Sequence, residues 1–438
     1  MFYDRKECKS DQSHCCQKKP FRYLHKNKQM WSKKEQSAIQ ERIGEALRKN
    51  RNYVQEEVLG VPASYLDPRV FSQDDSILKD APFLTTLVNN PNHIGCHTLD
   101  SSESFFAGTQ EIERDVIALC AEDILKAEPN SCDGYVASGG TEANIQAIWI
   151  YRNLFLNEYT AKHSEIAILC SDDSHYSMDK AANLLNISVY KVKTATDSPE
   201  ISKKTVEEAI AAARKNGAKY FIVVVNMMTT MFGSVDDFRA YTEVMEEQNL
   251  TFKMHVDGAF GGFYYPFSNP ENELNFANKY ITSVTLDAHK MAQAPYGTGI
   301  FLIRKGLMHH ATTKEASYVE GEDSTLIGSR SGANAVSIWM ILSKYGPHGW
   351  TEKIFILQKR TDWFCAELDA LKITYFRNPH SNIVTIRSSF INHEMAERFG
   401  LVPDSHTKPS WFKIVVMDHV TLEKIEPFLN VLKESLTV

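Results

Sequence analysis

The sequence predicts an α/β protein with a mostly parallel, wound sheet and a smaller α+β domain towards its C-terminal end. Three observations carry this. Helical and extended segments alternate from about residue 109 onward. The run FIVVV at 221–225 is apolar on both faces, as expected of a central parallel strand covered by helices on each side. The tripeptide Gly346-Pro347-His348 then punctuates the chain, and the segments beyond it follow a different order. Repeated βα units of this kind put the chemistry at the carboxyl ends of the strands.

The elements follow in order. The first thirty residues lack hydrophobic periodicity and read as an arm, and 34–49 has the composition of a charged helix, so 1–60 is taken as an N-terminal arm and helix. In TQEIERDVIALCAEDILKA, Ile112, Val116, Cys120 and Ile124 recur at four-residue spacing, which predicts a helix. Strands are expected at 132–137, 165–170, 221–225 and 252–256, with helices at 141–156, 175–186, 204–215, 235–248 and 333–345. These make a large domain over 61–345. A small domain, 346–438, is expected to hold a helix at 350–371, strands near 373–376, 382–387 and 411–417, and a closing helix at 421–436.

Composition narrows the function. A chain of 438 residues with a formal charge of −7 offers no clustered basic surface for nucleic acid or an anionic membrane, so small molecules are the expected partners. No apolar run approaches the roughly 20 residues that span a bilayer. The opening MFYDRKECKSDQSHCCQKKP lacks the apolar core of a secretory signal, and a cytoplasmic location is expected. The eight cysteines are too sparse for a disulfide scaffold, and Cys96, Cys120, Cys132, Cys170 and Cys365 read as reduced core positions. Cys8, Cys15 and Cys16, near His14, match no zinc-ligand spacing, and no metal is expected.

Four segments carry chemistry. In SGGTEAN, Gly139 and Gly140 let the backbone approach an anion and Thr141 adds a hydroxyl, at a helix N-terminus whose N–H groups are unpaired. This is a phosphate cradle, although Gly-Gly-Thr before a helix is also an ordinary capped turn. In FKMHVDGAFGGF, Asp257 closes a strand among small residues. It could hold a protonated heterocyclic nitrogen while a flat ring lies against Ala259, or it could simply cap a loop. In SVTLDAHKMAQAPYGTGIFLIR, Lys290 follows His289 between apolar segments, where shielding from water would free its amine for imine formation. In TLIGSRSGAN, Arg330 could clamp a carboxylate through two parallel N–H bonds, or cap a loop, or meet a partner chain.

The ordered set SGGTEAN, His175 in SDDSHYSMDKA, HVDGAFGG, DAHK and GSRSG resembles the group II pyridoxal-phosphate-dependent decarboxylases, a superfamily that also includes sphingosine phosphate lyase. The likeness runs from about Asn89 to Gly332. It implies the type I fold of pyridoxal-phosphate-dependent transferases, with a seven-stranded sheet, and decarboxylation of an L-amino acid to its amine. By the same resemblance, Lys290 forms the imine with the cofactor, Asp257 pairs with the pyridine nitrogen and His175 stacks on the ring. Gly139, Gly140 and Thr141 cradle the phosphate, with Asp287 and His289 nearby, and Ser329 reaches it across a homodimer interface. Tyr318, in HHATTKEASYVEGED, matches the loop tyrosine that returns a proton to the α-carbon. His93 and His97, in NNPNHIGCHTLD, fall where relatives hold the substrate side chain, and Arg330 is a further substrate candidate. The chain departs from its relatives at Met228, where glycine is usual before the Thr-Thr pair, and at Asn226, where a threonine often sits near the cofactor's phenolic oxygen. Gly258 replaces a commoner alanine. Two alternatives remain at this point. One is carbon–carbon cleavage of a phosphorylated amino alcohol. The other is a non-catalytic binding protein, which would be expected to have lost Lys290 or Asp257.

Overall fold

Burial on both faces of the central strands decides the architecture. The computed structural model describes residues 31–49, 92–94, 104–195, 198–312 and 322–436. Its first strands are Asn92–Ile94 (β1), Cys132–Ala137 (β2), Ile166–Ser171 (β3), Ser188–Val192 (β4), Tyr220–Asn226 (β5), Thr251–Gly258 (β6), Ile281–Asp287 (β7) and Gly299–Arg304 (β8). Along β5, Phe221, Val223 and Val225 enter one apolar layer while Ile222 and Val224 enter another. Successive side chains point to opposite faces of a pleated strand, so both faces must be covered by helices. Each fully buried aliphatic side chain contributes roughly 1.5–3 kcal/mol, and a polar substitution in this run would strike the centre of the fold.

Seven strands form the large sheet in the order β2-β8-β7-β6-β5-β3-β4. The pairs β3·β4, β3·β5, β5·β6 and β6·β7 are parallel, whereas β8 runs antiparallel to both β2 and β7. Because β8 reverses between them, β2 and β7 point the same way and their carboxyl ends share one edge. The helices Gly140–Glu158 and Ser177–Leu185 cover one face; Ala107–Ala118, Lys203–Lys215 and Phe238–Glu247 cover the other. The strand β4 has no counterpart in the sequence reading. Its residues SVYKV mix polar and apolar side chains, and all but the buried Val192 are exposed or partly exposed, as suits the edge of a sheet.

A short strand, Ser329–Ser331 (β9), pairs with β1 in a separate two-stranded ladder. The expected helices at 333–345 and 350–371 run together as Gly332–Ala370, interrupted at Gly346, whose φ of 62° lies in the left-handed region. A side chain there would also collide with Lys33, whose backbone nitrogen would lie 2.4 Å from an added Cβ. Glycine therefore answers both constraints. Beyond it, Tyr375–Phe376 (β10), Ile383–Arg387 (β11), Val402–Pro403 (β12) and Trp411–Val415 (β13) form an antiparallel sheet in the order β10-β11-β13-β12, with its own apolar cluster around Phe364, Val384, Phe412 and Phe428.

Cys120, Cys132, Cys170 and Cys365 are buried free thiols, while Cys8, Cys15, Cys16, His14 and Cys96 lie outside the described residues. Among the described residues, no helix is long and apolar enough to cross a membrane.

Candidate active site

Five strands deliver functional residues to one edge of the large sheet. After Ala137, β2 turns through Ser138 and Gly139 into the helix Gly140–Glu158, and β3 ends at Ser171, shortly before His175. Asn226 is the last residue of β5, Asp257 the penultimate one of β6 and Asp287 the last of β7, with His289 and Lys290 on the turn that follows. The strand ends enclose a cavity of about 350 Å³ lined by Gly139, Gly140, Thr141, His175, Asn226, Asp257, Ala259, Asp287, His289 and Lys290. Ten of the residues singled out from the sequence thus meet at one place.

Asp257 is buried and held from two sides. Its Oδ2 accepts from Asn144 Nδ2 at 2.9 Å and its Oδ1 accepts from the Ala259 amide at 3.1 Å. Behind Asn144 stands His255, whose Nε2 is 2.9 Å from Asn144 Oδ1 and whose Nδ1 is 2.6 Å from Ser283 Oγ. Burial, only partly opposed by Asp257, pushes the His255 imidazole down to about 4, so at neutral pH one nitrogen donates and the other accepts. Since Asn144 donates through its amide nitrogen, its oxygen must accept, and the proton of His255 belongs on Nε2. Nδ1 then accepts from Ser283, which in turn accepts from Tyr151 at 2.5 Å. Every bond in this buried chain points its donor towards the carboxylate of Asp257.

Lys290 is not shut away as its apolar flanks suggest. Its side chain is 34 % exposed, on the turn beyond β7, with Nζ 3.3 Å from Asp287 Oδ2. Burial pushes the Asp287 carboxyl up to about 6 against the pull of the Lys290 ammonium. His289 Nε2 lies 3.6 Å from the same oxygen, and burial together with Lys290 lowers the His289 imidazole. His175 is likewise lowered, by burial first, and its Nδ1 is 2.9 Å from Ser177 Oγ. Asn226 donates to Ser174 Oγ at 2.8 Å and to Asp236 Oδ2 at 2.7 Å, a carboxyl that burial pushes up to about 7.

These residues fit pyridoxal phosphate. The Gly140 helix offers N–H groups to a phosphate. Asp257 keeps lone pairs for a ring N–H, and Lys290 supplies a primary amine. Asp287 Oδ1 and His289 Nδ1 are buried without a protein partner, as polar groups reserved for a ligand are. Gly140 keeps the approach open, because an added Cβ would stand 2.8 Å from Asp287 Oδ2 and 3.0 Å from the Ala259 methyl. Overpacking of that kind costs about 1–3 kcal/mol. Gly140→Ala should therefore weaken cofactor binding by about 5- to 150-fold in an absorbance titration of folded apoprotein; an unchanged affinity would remove Gly140 from the cradle.

Other expectations fare differently. Arg330, read as a carboxylate clamp, does not line the cavity. Its guanidinium is buried in an ion pair with Glu113 and lies over the Tyr135 ring, 5.1 Å from the centroid. Ser329 is exposed and also lies outside the cavity lining, and the backbone of His93 pairs with that of Arg330 across β1 and β9. His97 and Tyr318 lie outside the described residues. Met228, noted for replacing glycine, lines the cavity with a left-handed φ of 70°. A residue with a Cβ pays about 1–3 kcal/mol there, a cost that the glycine expected from the resemblance would avoid. Asn144 and His255 were not assigned roles from the sequence. Asn144 sits one helical turn after Gly140 and His255 two residues before Asp257 on the same strand face, and those spacings are the signal that finds them.

A model of the pyridoxal-dependent decarboxylase conserved domain matches residues 93–376. Tryptophan decarboxylase from Clostridium sporogenes is 51% identical over 394 residues, 90% of this chain and 94% of that enzyme. The probable L-aspartate decarboxylase of Pyrococcus abyssi is 30% identical over 343 residues, 75% of this chain and 83% of that one. Among solved structures, L-methionine decarboxylase from Streptomyces sp. 590 superposes with a TM-score of 0.67 at 21% identity, covering 91% of this chain and 93% of that one. Likeness at that identity speaks for the fold.

Proposed function

The chain belongs to the pyridoxal-dependent decarboxylase family, and on that premise we propose that its substrate is an aromatic L-amino acid, L-tryptophan foremost. The protein is a pyridoxal-phosphate-dependent amino acid decarboxylase, and the kinship with named decarboxylases sets aside the two alternatives weighed from the sequence. The choice of side chain rests on one observation, the much closer kinship with the clostridial tryptophan enzyme than with the aspartate enzyme. Met228, Phe260, Tyr176 and Tyr296 add apolar and aromatic side chains to a lining otherwise rich in polar groups.

When bound, the cofactor supplies an electron-withdrawing ring that accepts the electron pair left by departing carbon dioxide. The protein's own groups do the rest. Lys290 would supply the primary amine that holds the cofactor. Asp257, fixed by Asn144 and Ala259, would keep the ring nitrogen protonated. His175 would orient the cofactor, while Gly139, Gly140, Thr141 and His289 would hold its phosphate and Asn226 would complete the pocket. Tyr318 is assigned, by resemblance, the proton that replaces the carboxylate on the α-carbon. The enzyme acts as a two-fold dimer in which Ser329 serves the neighbouring site. In support, Tyr296, at the cavity, is 89 % exposed in the single chain.

Purified holoenzyme should be offered L-tryptophan, L-phenylalanine, L-tyrosine, L-aspartate, L-glutamate and L-methionine in turn, with amine and carbon dioxide both measured. Tryptophan is expected to give tryptamine with a kcat/KM at least about tenfold above the rest. Preference for aspartate or glutamate would overturn the aromatic assignment.

A further inference from the structure

We propose that Glu158, His309 and His310 form a Zn²⁺ site separate from the cavity. Glu158 closes the helix that Gly140 opens, and the two histidines lie on the short turn Met308–Ala311 after β8. The length of that helix sets the two places apart by roughly 27 Å, at 1.5 Å per residue. The candidate ligand atoms of the three side chains all lie within 4.8 Å of one another.

His310 makes the case. It is buried, yet neither of its ring nitrogens has a hydrogen-bond partner. Its Nε2 is 3.1 Å from Glu158 Oε1, close enough for an ion pair but without the alignment of a hydrogen bond. A cation about 2.0–2.1 Å from both atoms would subtend an angle of about 98° at that 3.1 Å separation, which is an ordinary coordination angle. The His309 ring lies beside it, with centroids 3.9 Å apart, and brings the third ligand. Asn153 donates to the His310 carbonyl at 2.7 Å and so pins the turn to the helix.

The donor set selects the ion. Two imidazoles and one carboxylate suit Zn²⁺, whereas Mg²⁺ and Ca²⁺ take oxygen ligands. Bound there, the ion would join the far end of the Gly140 helix to the turn that leaves β8.

The full-length holoenzyme provides the test, carrying Cys8→Ser, Cys15→Ser and Cys16→Ser to remove competing thiols. After dialysis against a chelator it is titrated with Zn²⁺ alone by calorimetry, and its thermal midpoint is followed. One Zn²⁺ per chain is expected, with a higher midpoint. Glu158→Gln and His309→Ala, both at exposed positions, should each weaken binding by about tenfold or more and abolish the thermal shift, with decarboxylation unchanged. No saturable binding, or binding that both variants retain in full, would overturn the site.

Discussion

Replacing Lys290 with alanine should lower decarboxylation by about 10³-fold or more while leaving a folded protein that still takes up pyridoxal phosphate weakly. The amine is a single group on the turn after β7, with Nζ 3.3 Å from Asp287 Oδ2. The phosphate cradle and Asp257 belong to other strands and survive the change, so the cofactor keeps two of its three anchors. In the parent protein, borohydride should fix the cofactor to the peptide containing Lys290, identified by mass spectrometry. Label on any other lysine would end the assignment. Removing the ammonium also strips Asp287 of the charge that opposes its burial, so its carboxyl should rise further.

Asp257→Asn should be nearly as damaging, with turnover down by on the order of 10²–10⁴-fold. A neutral amide cannot hold a ring nitrogen protonated. The change also creates a local conflict. Asn144 Nδ2 and the Ala259 N–H both donate to the present carboxylate, so either orientation of an amide at this position would turn its NH₂ towards another donor. One unsatisfied buried donor costs about 1–3 kcal/mol, and a lower thermal midpoint should accompany the loss of activity. Wild-type turnover in this variant would dismiss Asp257 as the partner of the ring nitrogen.

What the sequence revealed, and what it concealed, divides on physical lines. The acid at the end of β6 and the lysine after β7 were legible because each sits at a strand terminus flanked by apolar residues, a pattern local to a dozen positions. The both-face burial of β5 was legible for the same reason. The ion pair of Arg330 was hidden because its partner Glu113 is 217 residues away, and no local pattern reports a contact of that span. The insertion of β8 between β2 and β7, antiparallel to both, is likewise a matter of tertiary pairing. The edge strand β4 escaped because its short, mixed and mostly half-exposed run lacks the continuous apolar signature of an inner strand.

The hydrogen-bonded chain from Tyr151 through Ser283, His255 and Asn144 to Asp257 bears on when the site is assembled. Each link is buried and made by the protein alone, so the acid takes its orientation as the sheet folds rather than as the cofactor arrives. The entropy of ordering that carboxylate is therefore lost before binding, and the apoprotein presents a preorganised receptor whose reorganisation on loading is confined to the more exposed groups around Lys290. Damage at Tyr151, outside the cavity lining, would then be felt as a loosened acid rather than as a missing contact.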